Sequence, residues 1–231
     1  MIRTLRVILL LLVPYVQGVA AQFDTLALPF RAVTIEDGLS QGMVNHITQD
    51  RYGFMWFATK DGLNRYDGYD FTVYRHDPED STTVRDNFVH AVFEDREGRL
   101  WVGTSTGLDL FDRRTESFVH ISLRPQGEDV GYVLNIVQDD HGDIWIAGSA
   151  GLAKLTFGTG GTDKGALPPY VVKRYATGHT NICRDRDGTL WGAQHQLYSY
   201  RIKPRHDGFD SLDTLDLEDL EEGTAGAFPV G

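Results

Sequence analysis

Cysteine is nearly absent from this sequence. The chain of 231 residues has a single one, Cys183, so no disulfide can form within it and oxidation does not stabilise the fold. Free cysteine is among the most buried residue types. We therefore expect Cys183 to be a buried structural thiol in a strand near the end of the chain.

Clusters of basic residues are also missing. Lysine and arginine together number 22 against 33 aspartates and glutamates, and the formal net charge is −11. An acidic surface repels phosphate backbones. The composition therefore argues against nucleic acid as a partner.

The apolar run near the N-terminus, residues 7–13, is too short to span a bilayer as a helix. Arg3 and Arg6 precede it, and a proline and several small residues follow, which is the three-part layout of a secretory signal peptide. We expect residues 1–21 to be cleaved after Ala21, which leaves an exported chain with no membrane segment. An uncleaved anchor is the alternative.

A repeat dominates the rest of the sequence. All four tryptophans fall at one position of it and are 44 to 46 residues apart, a period typical of one four-stranded β-propeller blade. The copies are Asp-x-x-Gly-x-x-Trp motifs at residues 50–56, 95–101, 139–145 and 185–191. The tryptophans are Trp56, Trp101, Trp145 and Trp191.

Each copy places an aspartate three residues before a glycine. These are the first and fourth positions of a type I turn, where Asp and Gly are preferred. Because short apolar segments lie on both sides, the motif predicts a hairpin in which the aspartate caps the turn. The pairs are Asp50/Gly53, Asp95/Gly98, Asp139/Gly142 and Asp185/Gly188.

The strand that carries each tryptophan is apolar on both faces. Leu100 and Val102 flank Trp101, for example, and the residue two positions after each tryptophan is always small. Such a strand belongs in a sheet covered on both sides, and the small residue leaves room for a neighbouring sheet. The predicted fold is all-β, with about four four-stranded antiparallel blades of an incomplete β-propeller and the tryptophans in the core between blades.

The repeat also predicts the domain organisation. Propeller repeats occupy residues 22–203, with blades at approximately 30–76, 77–122, 123–175 and 176–203. Residues 204–231 are acidic, and we interpret them as a poorly ordered tail or the start of a further blade. An unclosed propeller exposes sheet edges, which favours self-association through its edges or faces.

The repeat, together with the segment at residues 30–44, resembles the two-component regulator propeller repeat. Three copies match that pattern well, and the fourth departs from it with Gln196 where glycine is expected. In that family the propeller is the periplasmic sensor region of a larger receptor, often a hybrid histidine kinase that responds to carbohydrate fragments. The resemblance implies a non-catalytic, truncated sensor segment in the periplasm that binds an oligosaccharide or another small ligand.

Neither a metal site nor a cofactor site is predicted. His46 and His90 fall in the predicted inner strands, but no pair of ligating residues recurs at a suitable spacing. A propeller enzyme acting on carbohydrate, a glycosidase or lyase, stays open, because acidic residues abound but cannot be paired from sequence. A generic protein-interaction scaffold is the third hypothesis.

Loops carry recognition in scaffolds of this kind. We therefore place the ligand site on the loops between second and third strands and at the mouth of the central channel, where hydrogen-bonding groups would suit a carbohydrate. The candidate residues are Asn45, His46, Lys60, Asp61, His90, Ser105, Thr106, Ser149 and His195.

Overall fold

Sixteen β-strands form four antiparallel sheets in the described part of the chain, which comprises residues 30–123, 131–158, 167–175, 181–194, 198–203 and 211–215. The structure is a computed structural model. It divides into two units, Met1–Ala32 and Val33–Gly231, and all sixteen strands lie in the second. No helix among the described residues has the length and hydropathy needed to cross a bilayer.

Each sheet is a meander of four consecutive strands. Sheet 1 consists of β1 (Val44–Gln49), β2 (Met55–Thr59), β3 (Gly62–Tyr66) and β4 (Phe71–Tyr74). Sheet 2 consists of β5 (Val89–Glu94), β6 (Leu100–Thr104), β7 (Gly107–Asp112) and β8 (Ser117–Ile121). Sheet 3 consists of β9 (Val133–Gln138), β10 (Ile144–Gly148), β11 (Gly151–Phe157) and β12 (Tyr170–Tyr175). Sheet 4 consists of β13 (Asn181–Arg184), β14 (Leu190–Gln194), β15 (Tyr198–Lys203) and β16 (Ser211–Leu215).

The sheets are arranged as propeller blades. The first strands of successive sheets contact one another, β1 with β5, β5 with β9 and β9 with β13, so each sheet contributes its first strand to a common inner layer. Radially packed four-stranded meanders are the architecture of a β-propeller. The prediction of an all-β incomplete propeller with about four blades is confirmed.

The core lies between successive sheets, and each tryptophan fills one such interface. Trp56 of sheet 1 packs with Leu100 and Val102 of sheet 2, and its ring centroid is 5.2 Å from that of Phe111. The same arrangement recurs for Trp101 against sheet 3 and for Trp145 against sheet 4. All three indoles have no exposed surface, so the predicted wedge between blades is observed.

The turn aspartate does more than cap its turn. In each hairpin one carboxylate oxygen accepts backbone N–H groups of the turn, and the other accepts the indole Nε1–H six residues later, at 2.8 Å in all four copies. The glycine that closes each turn has φ between +86° and +90°, a conformation that favours glycine. The motif therefore joins a turn to the buried tryptophan of the same blade.

Arginines at the same turns clamp neighbouring blades together. The Nη2 of Arg51 donates to the carbonyl oxygens of Asp95 and Arg96 in the next blade, at 3.0 and 2.9 Å. One blade further on, Arg96 donates through Nη2 to the carbonyl oxygen of Asp139, at 2.9 Å. At the third junction Asp140 replaces the arginine, and its carboxylate accepts from Arg184. Each pair of successive sheets is thus linked at the turns as well as in the core.

The role predicted for Gly188, that of a turn residue alone, needs correction. The turn itself forms as expected, because the Gly188 N–H donates to the Asp185 carbonyl at 3.3 Å and φ is +89°. A Cβ at Gly188 would also collide with the carboxylate of Asp140 in the preceding blade. The glycine is therefore required by the contact between blades 3 and 4 as well as by its turn.

Two further predictions near the end of the chain need correction. Cys183 is exposed, because it pairs with Trp191 across β13 and β14 and so lies on the sheet 4 face that points away from sheet 3. Its pKa is raised by partial burial and by the charge of Asp185. The fourth blade also extends past residue 203, because Ser211–Leu215 pairs with β15 as the outer strand of sheet 4.

Candidate functional site

Strand direction sorts the connections of the propeller onto two faces. The Asp-Gly turns lie on one face, which we call the turn face. The opposite face, here the loop face, carries the turns between second and third strands and the segments that lead into the inner strands. Main-chain hydrogen bonds tie these elements together, from Ser105 N–H to the Phe88 carbonyl at 3.1 Å and from Ser149 N–H to the Tyr132 carbonyl at 3.0 Å.

Three rings form a continuous stack on the loop face. Phe88 and His90 have ring centroids 4.2 Å apart with planes inclined by 29°. His90 and Tyr132 are 6.0 Å apart and inclined by 20°. We call these three residues the aromatic stack. It crosses a blade junction, because Phe88 and His90 belong to blade 2 and Tyr132 leads into β9 of blade 3.

Polar groups surround the aromatic stack. Lys60 places its Nζ 5.7 Å from the Phe88 ring centroid. The Nε2 of His90 shares a hydrogen bond of 2.8 Å with the Ser105 hydroxyl, and the Ser149 hydroxyl accepts the Tyr132 N–H at 3.0 Å. A half-exposed aromatic surface with an ammonium group and hydroxyls at its edge can stack on an apolar ring face and hydrogen-bond to its substituents.

Local sequence explains why these rings converge. Phe88 and Tyr132 each lie thirteen residues before the tryptophan of their blade, and Met43 occupies the same position in blade 1. All three directly precede an inner strand, and Met43 and Tyr132 are more than half exposed. The register of β5 shifts between Val89 and Ala91, at the position of His90. Such an irregularity re-aims a side chain, here beside the neighbouring rings.

Burial sets the charge state of the site. Partial burial lowers the pKa of His90, while the nearby charge of Asp86 acts in the opposite direction. His90 is therefore a neutral imidazole at neutral pH and presents an uncharged ring to the stack. Among the described residues no group of three His, Cys, Asp or Glu side chains could hold a metal ion.

The structure places the predicted site residues unevenly. Lys60, His90, Ser105 and Ser149 lie in or beside the aromatic stack. Thr106 is exposed in the same turn as Ser105. Asn45 lies at the start of β1, where its Nδ2 donates to the Val89 carbonyl at 2.7 Å and holds β1 to β5.

The other three predicted residues do not join the stack. Asp61 forms an ion pair of 3.0 Å with Arg75, so its carboxylate is already engaged. His46 lies on the inner strand β1, and partial burial lowers its pKa despite a backbone hydrogen bond with Val92. His195 lies outside the described residues.

Phe88 and Tyr132 were not predicted from the sequence. The signal that could have found them is their constant distance from the tryptophan, which they share with Met43. A motif that begins at the aspartate does not include the residues before the inner strands, so this similarity between repeats lies outside it.

The sequence comparison identifies the repeats. Residues 38–61 and 83–106 match the family described as two component regulator propeller, so the chain carries the repeats of that family and the expected resemblance is confirmed. A stretch of 55 residues is 51% identical to histidine kinase P4 of Formosa agariphila and covers 24% of this chain and 4% of that protein.

Solved structures with a similar fold include the extracellular domain of the hybrid two component system BT4673 from B. thetaiotaomicron. It is 23% identical with a TM-score of 0.58, over 77% of this chain and 25% of that chain. Virginiamycin B lyase from Staphylococcus aureus, solved with quinupristin, is 15% identical with a TM-score of 0.53, over 75% of this chain and 56% of that one. The chain thus spans about a quarter of the first structure and about half of the second, and the similarity establishes a shared propeller fold.

Proposed function

We propose that this chain is a non-catalytic ligand-sensing propeller segment of a two-component regulator, and that it is part of a larger sensor kinase. Two findings support the proposal: the family repeats at residues 38–61 and 83–106, and the local identity with a histidine kinase. The aromatic stack on the loop face carries the ligand-binding part of it. An oligosaccharide is the ligand class that this surface suits best, because a sugar ring offers one apolar face and several hydroxyl groups.

The position of the stack connects binding to signalling. A ligand lying on Phe88 and Tyr132 contacts blades 2 and 3 at once. The same two blades are clamped on the turn face by Arg96. A bound ligand therefore stabilises one relative arrangement of the two blades, and a receptor responds when its ligand prefers one of two states.

Calorimetric titration of the full chain with neutral and carboxylated oligosaccharides tests the proposal. We expect binding that falls about tenfold or more in Tyr132→Ala, since an aromatic contact contributes roughly 0.5–1.5 kcal/mol beyond its buried area. Tyr69→Ala is the matched control, because Tyr69 is 87% exposed and lies in the β3–β4 turn on the turn face. It should bind as the unsubstituted chain does.

The same titrations distinguish the other functions. Chromatography of the oligosaccharide after incubation should show unchanged material, whereas cleavage products would support a glycosidase or lyase. Binding to a protein partner alone, with no oligosaccharide bound, would support an interaction scaffold. Either result would contradict a sensor of carbohydrate.

Export to the periplasm is the second part of the proposal. It rests on the three-part pattern of residues 1–21. Mass spectrometry of the N-terminus after expression in a Gram-negative host should find a chain that starts at Gln22 in the periplasmic fraction. A chain that retains Met1 in the cytoplasm would contradict it.

A further inference from the structure

The outward face of sheet 1 is the counterpart of a buried interface. Nine residues before each tryptophan stands an aliphatic residue, Ile47, Val92, Ile136 and Ile182. In sheets 2 to 4 it packs against the preceding sheet and is 0%, 5% and 2% exposed, whereas Ile47 is 51% exposed. Sheet 1 therefore presents the surface that receives a tryptophan at every other junction.

This face is already organised as a receiving surface. Phe57, which stands where Val102 and Ile146 are fully buried, has its ring centroid 5.7 Å from that of Phe71. Tyr66 stacks on Phe71 at 4.6 Å. We call Ile47, Phe57 and these two rings the first-blade face. Burying such a face contributes favourably to association, since the gain is proportional to the apolar area removed from water.

Sheet 4 presents the complementary half. Trp191 donates to Asp185 at 2.8 Å like the other tryptophans, but it is half-buried where the other three are fully buried. Cys183 lies beside it on the same face and is exposed. We call Trp191 and Cys183, together with Arg186 of the adjacent turn, the last-blade face.

The turns carry matching hydrogen-bonding groups. Arg186 occupies the position of Arg51 and Arg96, five residues before the tryptophan, and these two arginines clamp the turn of the next blade. At the junction of blades 2 and 3 the backbone N–H of Arg96 also donates to Gln138 Oε1, at 2.9 Å.

Sheet 1 repeats the acceptor side of that junction. Gln138 is held by its own Nε2, which donates to the Gly142 carbonyl at 3.1 Å. Gln49 stands at the same position in blade 1 and donates in the same way to the Gly53 carbonyl, at 3.2 Å. Its Oε1 is therefore oriented to accept the backbone N–H of an arginine at the Arg186 position.

We propose that the two faces dock between two copies of this chain, with sheet 4 of each copy packed on sheet 1 of the other. A second copy is the occupant because the chain itself carries both halves of the junction in matching register. Head-to-tail contacts either close into a ring or continue as a filament. Two copies supply twice the four sheets of one chain, at the upper end of the about four to eight blades of closed propellers, so the pair closes.

Sedimentation equilibrium of the full chain over a range of concentrations tests the pairing. Ile47→Asp should weaken dimerisation at least about tenfold, because it places a charge in the first-blade face. Val119→Asp is the matched control, since Val119 is also 51% exposed but lies on the outer strand β8. Its dimerisation should equal that of the unsubstituted chain. Circular dichroism checks that both variants keep their β structure.

A mixing experiment tests the head-to-tail geometry. Arg186→Glu alters the last-blade face, so it should be monomeric alone, as should Ile47→Asp. An equimolar mixture should form dimers, because each mixed pair retains one junction with both faces intact. A monomeric unsubstituted chain, open assemblies larger than a dimer, equal damage from Val119→Asp, or no dimers in the mixture would each overturn the proposal.

Discussion

Removing the Asp139 carboxylate tests the link between the turn and the tryptophan. Its Oδ2 accepts the Trp145 indole N–H at 2.8 Å, and its Oδ1 accepts the backbone N–H of Asp143 at 3.0 Å, both in buried surroundings. In Asp139→Ala each donor loses its acceptor, at about 1–3 kcal/mol apiece. The third donor, the N–H of exposed His141, can turn to water. We therefore expect a loss of roughly 2–6 kcal/mol from a total stability of about 5–15 kcal/mol.

Urea unfolding followed by circular dichroism measures this loss. Asp67→Ala is the control, because Asp67 accepts two backbone N–H groups in an exposed turn and no indole. Its loss should be much the smaller of the two. A cycle with Trp145→Phe then isolates the coupling between carboxylate and indole. Equal losses in Asp139→Ala and Asp67→Ala would refute the proposed anchor.

Three further predictions concern backbone strain and pH. Gly53→Ala should cost about 1–2 kcal/mol in unfolding free energy through its positive φ alone, and Gly98→Ala should cost more, because its Cβ would also meet a guanidinium of the preceding blade. Burial would raise the pKa of Asp50, but hydrogen bonds from its tryptophan and from Arg113, with the Arg113 charge, lower it overall. Stability from Asp50 is then lost only as pH falls through that lowered pKa, so Arg113→Met should move acid unfolding to higher pH. Burial lowers the pKa of His90, so the unfolded chain binds the proton first and stability should fall as pH drops below about 6.5; His90→Gln should flatten that slope in pH-dependent urea unfolding.

The fold was predictable because its signal is periodic. Four tryptophans at a constant spacing, each followed two residues later by a small side chain, specify a repeated sheet-on-sheet interface. Gly103 shows the physical basis: a Cβ there would lie 2.6 Å from a methyl carbon of Val133 in the next blade. A side chain larger than alanine at this position would push the blades apart.

The contacts between repeats were not predictable in the same way. The bond from each indole to the aspartate six residues earlier depends on the hairpin's final geometry, and neither residue type requires it. Arg51 reaches a turn more than forty residues away, and Gly188 lies against Asp140 of the preceding blade, which no local pattern indicates. Cys183 was misjudged because composition cannot show that its face of sheet 4 has no described sheet beyond it.

The candidate site shows the same division. Lys60, His90 and Ser105 were predicted from their loops and inner strand, and the structure places them together. The stack itself, with Phe88 and Tyr132, depends on how two blades meet. A pattern confined to one repeat could not reveal a surface shared by two.

The most direct measurement compares the full chain with the Phe88→Ala/Tyr132→Ala double variant on an oligosaccharide array. Both rings are removed from the loop face, while the blade core and the turn clamps are left in place. We predict that the spots bound by the unsubstituted chain lose their signal in the double variant and keep it in Tyr69→Ala. The same spots bound with equal strength by the double variant would contradict ligand recognition at the aromatic stack.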